Sequence, residues 1–177
     1  MPSAGIPIGG TGGLLRCVRR RGSALLILAA LSLLWAPPAT AGWDAGLAAY
    51  ETADFSAAMR EWQPLAEQGD ARAQEMLGYM YDLGEGVPEN DGVAAAWYLR
   101  AANQGSADAR INLGLLYATG SGVPRDASRA YMWFELAALS DDPALGEMAR
   151  QARAEIARRM TPDEIAQARD MARRWGE

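Results

Sequence analysis

The chain has 177 residues, half of them hydrophobic, with a formal charge of −5 and no histidine. All 17 basic residues are arginines; four fall within residues 1–41 and none of the 22 acids does, so residues 42–177 carry −9. That balance argues against nucleic acid, whose binding rests on neutralising phosphates, and against anionic membrane surfaces, while the missing histidines remove the commonest general base and the commonest zinc or copper ligand.

Residues 1–41 read as a secretory signal peptide. Arg16, Arg19, Arg20 and Arg21 make a basic segment, and the apolar run Ala24–Trp35 follows, 12 residues long. Ala39-Thr40-Ala41 then supplies a small-x-small cleavage site before Gly42. An uncleaved anchor is the competing reading, but a bilayer-spanning helix needs about 20 apolar residues. Export to the periplasm or the medium is therefore expected, with no stable membrane span after cleavage. The only cysteine, Cys17, lies in this leader. No disulfide can form in residues 42–177, so one domain must be held together by packing alone.

Residues 42–70 read as a shortened helical unit. Trp43, Leu47 and Tyr50 share a helical face. After a break at Ala53-Asp54, residues 55–68 place Phe55, Ala58, Met59, Trp62, Leu65 and Ala66 at helical spacing. Pro64 falls inside that pattern and is expected to kink the helix or tighten a turn.

Residues 71–106 and 107–142 are two copies of one pattern with a period of 36. Leu77-Gly78-x-x-Tyr81 returns as Leu113-Gly114-x-x-Tyr117, and Gly84-x-Gly86-Val87-Pro88 as Gly120-x-Gly122-Val123-Pro124. Ala94-x-x-Trp97-Tyr98 returns as Ala130-x-x-Trp133-Phe134. A period of this size marks a stacked repeat protein. Within the first copy, Ala73, Leu77 and Tyr81 form an inward stripe, and Gly78 leaves room for a neighbouring helix. Gly84 ends the first helix and Pro88 prevents its continuation. Asn90 or Asp91, and Asp126 in the second copy, can cap the second helix, which is expected to bury Ala94, Trp97, Tyr98 and Ala101. Residues 104–106 turn into the next unit.

Residues 143–177 predict a closing pair of helices. Asp142 caps the first, with Pro143 as its first residue. Its inward stripe is expected to be Leu145, Met148, Ala152 and Ile156. Thr161-Pro162-Asp163-Glu164 combines a capping box with a proline at the first helical position, and Ile165, Ala168, Ala172 and Trp175 form the last stripe. No stretch alternates with period 2. The expected fold is all-α, about eight helices in four pairs.

Leu-Gly-x-x-Tyr, Gly-x-Gly-Val-Pro, Ala-x-x-Trp-Tyr and the Ala-Ala-x-Gln-Gly of residues 101–105 together resemble the Sel1-like repeat family, helical hairpins related to tetratricopeptide repeats. The match is strong over 71–105 and good over 107–141. It is partial before residue 71, where the loop is missing, and the second copy ends in Leu139-Ser140-Asp141-Asp142 rather than a Gln-Gly turn. The resemblance implies a right-handed α/α solenoid that acts through protein–protein contacts as an adaptor or regulator. Exported family members serve envelope machinery. Some cysteine-rich relatives bind β-lactams, an expectation weakened here because residues 42–177 have no cysteine.

In such repeats a second stripe on the first helix lines the concave surface. Here it holds Arg72, Glu75, Tyr79 and Asp82, matched in the next copy by Asp108, Ile111, Leu115 and Ala118. Tyr79, Ile111 and Leu115 could floor a groove rimmed by Arg72, Glu75, Asp82 and Asp108, suited to an extended or helical peptide; Ile111 and Leu115 could equally be core. The expected partner is another protein in the envelope. No cofactor and no metal are expected. The alternative is a carbohydrate- or peptidoglycan-linked protein with hydrolytic activity, which would require paired carboxylates. Asp82 with Glu85, or Asp141 with Asp142, are the available pairs, though caps and solvated charge explain them more simply. Trp97 and Trp133 are read as packing residues rather than sugar platforms, because they sit beside the repeated alanines. Gly84-x-Gly86 lacks the preceding strand and the lysine of a phosphate loop.

Overall fold

The computed structural model describes residues 39–175. The signal-peptide expectation lies outside the described residues, apart from the backbone of residues 39–41, which opens the first helix. Eight helices follow one another: α1 (Ala39–Glu51), α2 (Phe55–Glu67), α3 (Ala71–Leu83), α4 (Asp91–Asn103), α5 (Ala107–Thr119), α6 (Ala127–Ala137), α7 (Pro143–Ala157) and α8 (Pro162–Trp175). Among the described residues there is no strand. Helices α1/α2, α3/α4 and α5/α6 pack as hairpins, and α2/α3, α4/α5 and α6/α7 join one hairpin to the next. The first helices of successive units also touch, α3 with α5 and α5 with α7. This is a solenoid of helical hairpins, as the period required.

Helix boundaries are written in short polar side chains. Asp54, Asp70, Asn90, Ser106, Asp126 and Asp142 each accept a backbone N–H from the first turn of the helix they precede. Thr161 and Glu164 exchange hydrogen bonds in the expected box: the Thr161 N–H donates to Glu164 Oε2 at 2.7 Å and the Glu164 N–H donates to Thr161 Oγ1 at 3.3 Å. Asn90 rather than Asp91 caps α4. Asp70 and Ser106 were not singled out in the sequence as caps, yet they start α3 and α5. Each cap is worth about 1 kcal/mol.

Each hairpin closes on one contact between a glycine and an aromatic ring. A Cβ added at Gly78 would stand 2.5 Å from the Tyr98 ring, and one at Gly114 would stand 2.6 Å from Phe134. The shortened first unit uses the same device, with Gly46 against Trp62 at 2.3 Å. Tyr98, Phe134 and Trp62 are all fully buried, so no ring can swing away to admit a methyl group. The aromatic core of the first unit grows outward from Trp62, which stacks with Trp43 at a centroid distance of 5.3 Å and meets Tyr50 at 5.6 Å.

Helix α2 runs through Pro64 and ends at Glu67. Three details differ from the sequence expectation. In α7 the inward position is Ala149, fully buried, while Met148 is 54% exposed; the side of α7 that faces α6 is lined by Leu145, Ala149, Ala152 and Ile156. Trp97 is only half-buried, with Arg100 over its ring at 4.5 Å, and its counterpart Trp133 is fully buried. Trp175 leaves nearly half its surface in solvent and meets Trp133 edge-on at 4.9 Å. The last two helices are neighbours in sequence but not in packing: α7 and α8 both lie against α6. Trp133 is buried because α8 covers it.

Gly114→Ala should destabilise the chain by about 1–2 kcal/mol, an overpacking cost of about 1–3 kcal/mol reduced by the better helix propensity of alanine. Urea unfolding followed by circular dichroism reads this as a lower midpoint. Ala53 is the one described non-glycine residue with positive φ, at 60°. Ala53→Gly should therefore raise the midpoint, by up to about 1 kcal/mol, because a left-handed L-residue costs about 1–2 kcal/mol and glycine returns part of that as chain entropy.

Candidate functional site

The stripe that varies between the two repeats lies on α3 and α5, and the structure divides it by depth. Tyr79 and Leu115 occupy equivalent positions and are 39% and 47% exposed. Ile111 does not floor a groove. It is 5% exposed and packs with Ala130, Phe134, Ala137 and Ala149, because α7 closes over this side of α5. The two members of the stripe that could be core or groove thus separate, Ile111 to the core and Leu115 to the surface.

Three of the charged members are held by specific partners. Arg72 stacks over the Trp43 ring at 4.5 Å and pairs with Asp70 at 3.5 Å. Glu75 is half-buried and accepts a hydrogen bond from the Ser106 hydroxyl at 2.5 Å. Burial raises the Glu75 carboxyl above its ordinary range, against the effect of that hydrogen bond. Asp82 accepts from the Tyr98 hydroxyl at 3.4 Å, and burial, with Asp91 nearby, raises its carboxyl as well. Asp108 is raised by burial and by Asp142, although its own backbone N–H opposes the shift.

These residues do not share one cavity. Arg72, Glu75 and Asp108 line a hollow of about 470 Å³ at the starts of α3, α5 and α7, together with Arg110, Asp141 and Leu145. Leu115 and Ala118 line a separate hollow of about 210 Å³ against Ile156 of α7 and Arg159 just beyond its end. Tyr79 and Asp82 line neither. The face is a string of shallow sites along two helices, with exposed apolar side chains at a repeating position.

A pair of polar residues that sequence reasoning passed over ties the units together. Gln74 is buried, donates to the Ala66 carbonyl at 2.9 Å and accepts from Gln104 at 2.8 Å. One period later Arg110 donates to the Ala102 carbonyl at 3.1 Å and to the Leu136 carbonyl at 3.2 Å. Both satisfy carbonyls at the end of the preceding second helix, which lack intrahelical partners. Their shared register was the only signal, since the residue types differ.

The acidic pairs weighed for hydrolysis are not facing pairs. Glu85 accepts from the Tyr50 hydroxyl at 2.6 Å, whereas Asp82 is engaged with Tyr98. Asp142 caps α7. The Gly-x-Gly loops are structural: a Cβ at Gly122 would lie 2.3 Å from the backbone of Asp91 and Gly92, and one at Gly86 would lie 2.8 Å from Phe55. Each loop seats on the start of the second helix of the unit before. Among the described residues no group of three or more acids could hold a metal ion. No helix among them is long and apolar enough to cross a membrane.

Fold and face together define an α-helical repeat solenoid with an exposed, variable stripe on its first helices. The Sel1 repeat family model matches residues 71–106 and 107–142. A protective antigen of uropathogenic Escherichia coli strains, displaying an SLR fold, superposes with a TM-score of 0.72 at 28% identity, over 77% of this chain and 29% of that one. A Sel1 repeat protein from Oxalobacter formigenes gives 0.55 at 35% identity, over 59% of this chain and 43% of that one. No curated protein matches the chain. The chain thus carries two Sel1 repeats, a module that in general serves protein–protein interaction. It spans less than half the length of either solved relative.

The three raised carboxyls fix a sign for pH dependence. Where a folded-state carboxyl is raised, the folded chain binds more protons than the unfolded one, so stability rises as pH falls through the raised values. The denaturation midpoint should be higher at about pH 5 than at about pH 7, and Glu75→Gln should shrink the difference. A midpoint that is flat or falls over that interval contradicts the assignment.

Proposed function

We propose that this chain is a non-catalytic adaptor or regulator of the cell envelope that binds a protein partner on the concave, first-helix face of its solenoid. The observation that carries the reading is the pair Tyr79 and Leu115. Large apolar side chains at one position of consecutive repeats stay 39% and 47% exposed, although the residues around them pack tightly. Exposed apolar positions at fixed spacing, flanked by charged residues, suit a peptide or helix laid across the repeats. The basic segment, short apolar run and Ala39-x-Ala41 site support export. The carbohydrate-linked alternative draws less support, because Trp133 is 2% exposed and Trp97 is half-covered by Arg100.

The double variant Tyr79→Ser, Leu115→Ser separates binding from folding. Surface substitutions of this kind change stability by about 0.5 kcal/mol or less, so its melting curve should follow that of the unaltered chain. Cross-linking pull-down from an envelope fraction should recover one stoichiometric protein with the unaltered chain and lose it with the variant. Early melting of the variant would return both residues to the core. Recovery of glycan alone would favour the carbohydrate-linked reading.

A further inference from the structure

We propose a second interaction surface, on the opposite side of the solenoid, that takes an acidic peptide segment carrying a large apolar side chain. Helix α8 packs on α6 rather than on α7, which leaves a cavity of about 420 Å³ bounded by α4, α5, α6 and α8. Met132, Trp133, Met171 and Trp175 form its apolar wall, and Arg129 and Arg174 stand in the same lining. The size suits a bound ligand. Methionine and tryptophan together make an adaptable wall of the composition that dominates binding energy at interfaces. Trp175 leaves nearly half its surface, 46%, in solvent beside this cavity.

Charge selects the occupant. Residues 42–142 hold six arginines and sixteen acids, whereas residues 143–175 hold seven arginines and five acids. The cavity's own lining holds two arginines, Arg129 and Arg174, and no acid. Arg129 is positioned by Tyr117, donating to its hydroxyl at 3.2 Å and lying over its ring at 5.4 Å. Its ion pair with Asp126, at 3.4 Å, is half-exposed and thus weak. Arg174 forms no ion pair among the described residues. The two guanidiniums stand on different helices, Arg129 on α6 and Arg174 on α8. A segment with carboxylates on either side of a seated aromatic or aliphatic side chain can pair with both; a single carboxylate neutralises only one.

The test uses the purified full chain and a fluorescein-labelled peptide of glutamates interrupted by one phenylalanine and one leucine, read by fluorescence anisotropy. Binding is expected to weaken with salt and to be lost when lysines replace the glutamates or alanines replace the two apolar residues. Arg174→Glu and Trp175→Ala, both on the exposed end of α8, should each weaken it by about tenfold or more while circular dichroism shows an unchanged melt. Arg129→Gln serves if either variant fails to fold. The Tyr79→Ser, Leu115→Ser variant should bind the peptide normally, which keeps this surface distinct from the first-helix face. No binding of the acidic peptide, equal binding of the lysine peptide, or affinity untouched by the α8 variants overturns the proposal. Binding of dodecanoate that depends on Arg174 and Trp175, without binding of the peptide, also overturns it by assigning the cavity to a small amphiphile.

Discussion

The solenoid depends on letting a bare helix backbone meet the face of a buried ring. Gly46 with Trp62, Gly78 with Tyr98 and Gly114 with Phe134 set the closeness of each hairpin. A glycine inside a helix costs about 1 kcal/mol against alanine, and the ring packed over it more than compensates through buried area and dispersion contacts. The alanines around these rings, such as Ala73, Ala94, Ala101, Ala109, Ala130 and Ala137, are fully buried for the same reason. A core of small residues and a few large rings fits only at short interhelical distance.

Stacking one hairpin on the next draws on different chemistry. The second glycine of each loop lets the chain press against the start of the preceding second helix. Gln74 and Arg110 reach carbonyls in the last turn at its other end. Polar side chains at both ends and apolar contacts between them fix the register of neighbouring units. Thiols have no part in this among residues 42–177. The series then stops because α8 turns back onto α6, so the second-helix side of the last unit is covered by a helix of different character, rich in arginine and aspartate or glutamate.

What remains outside the core is unevenly distributed. The first-helix side carries the residues in which the repeats differ, and Arg72, Glu75 and Asp82 among them are already engaged by Trp43, Ser106 and Tyr98. The stripe's exposed apolar positions on that side are Tyr79 and Leu115. The α8 side carries arginines and tryptophan around a cavity. The two sides therefore differ in chemistry, one presenting exposed apolar residues and the other arginine and tryptophan.

The sequence by itself determined the local order of the molecule. The 36-residue period, the glycine–proline loops and the capping residues Asn90, Asp126, Asp142 and Thr161 are local signals, read by short-range backbone chemistry, and they placed the helices. The repeated alanines and rings likewise marked the core. Gly46 escaped notice because its ring lies 16 residues away, whereas that of Gly78 or Gly114 lies 20 away; the missing loop shifts the spacing. Only the tertiary structure decided which apolar residues of one stripe stay exposed. Ile111 and Leu115 are neighbours on one helix with the same hydrophobic signature, and α7 covers the first but not the second. Ala149 displaced Met148 from the core for a similar reason, since the facing angle of α7 is set by α6 and not by its own sequence. The cavity under α8 exists because that helix chose a non-adjacent partner, and long-range packing of that kind leaves no periodic trace in the chain.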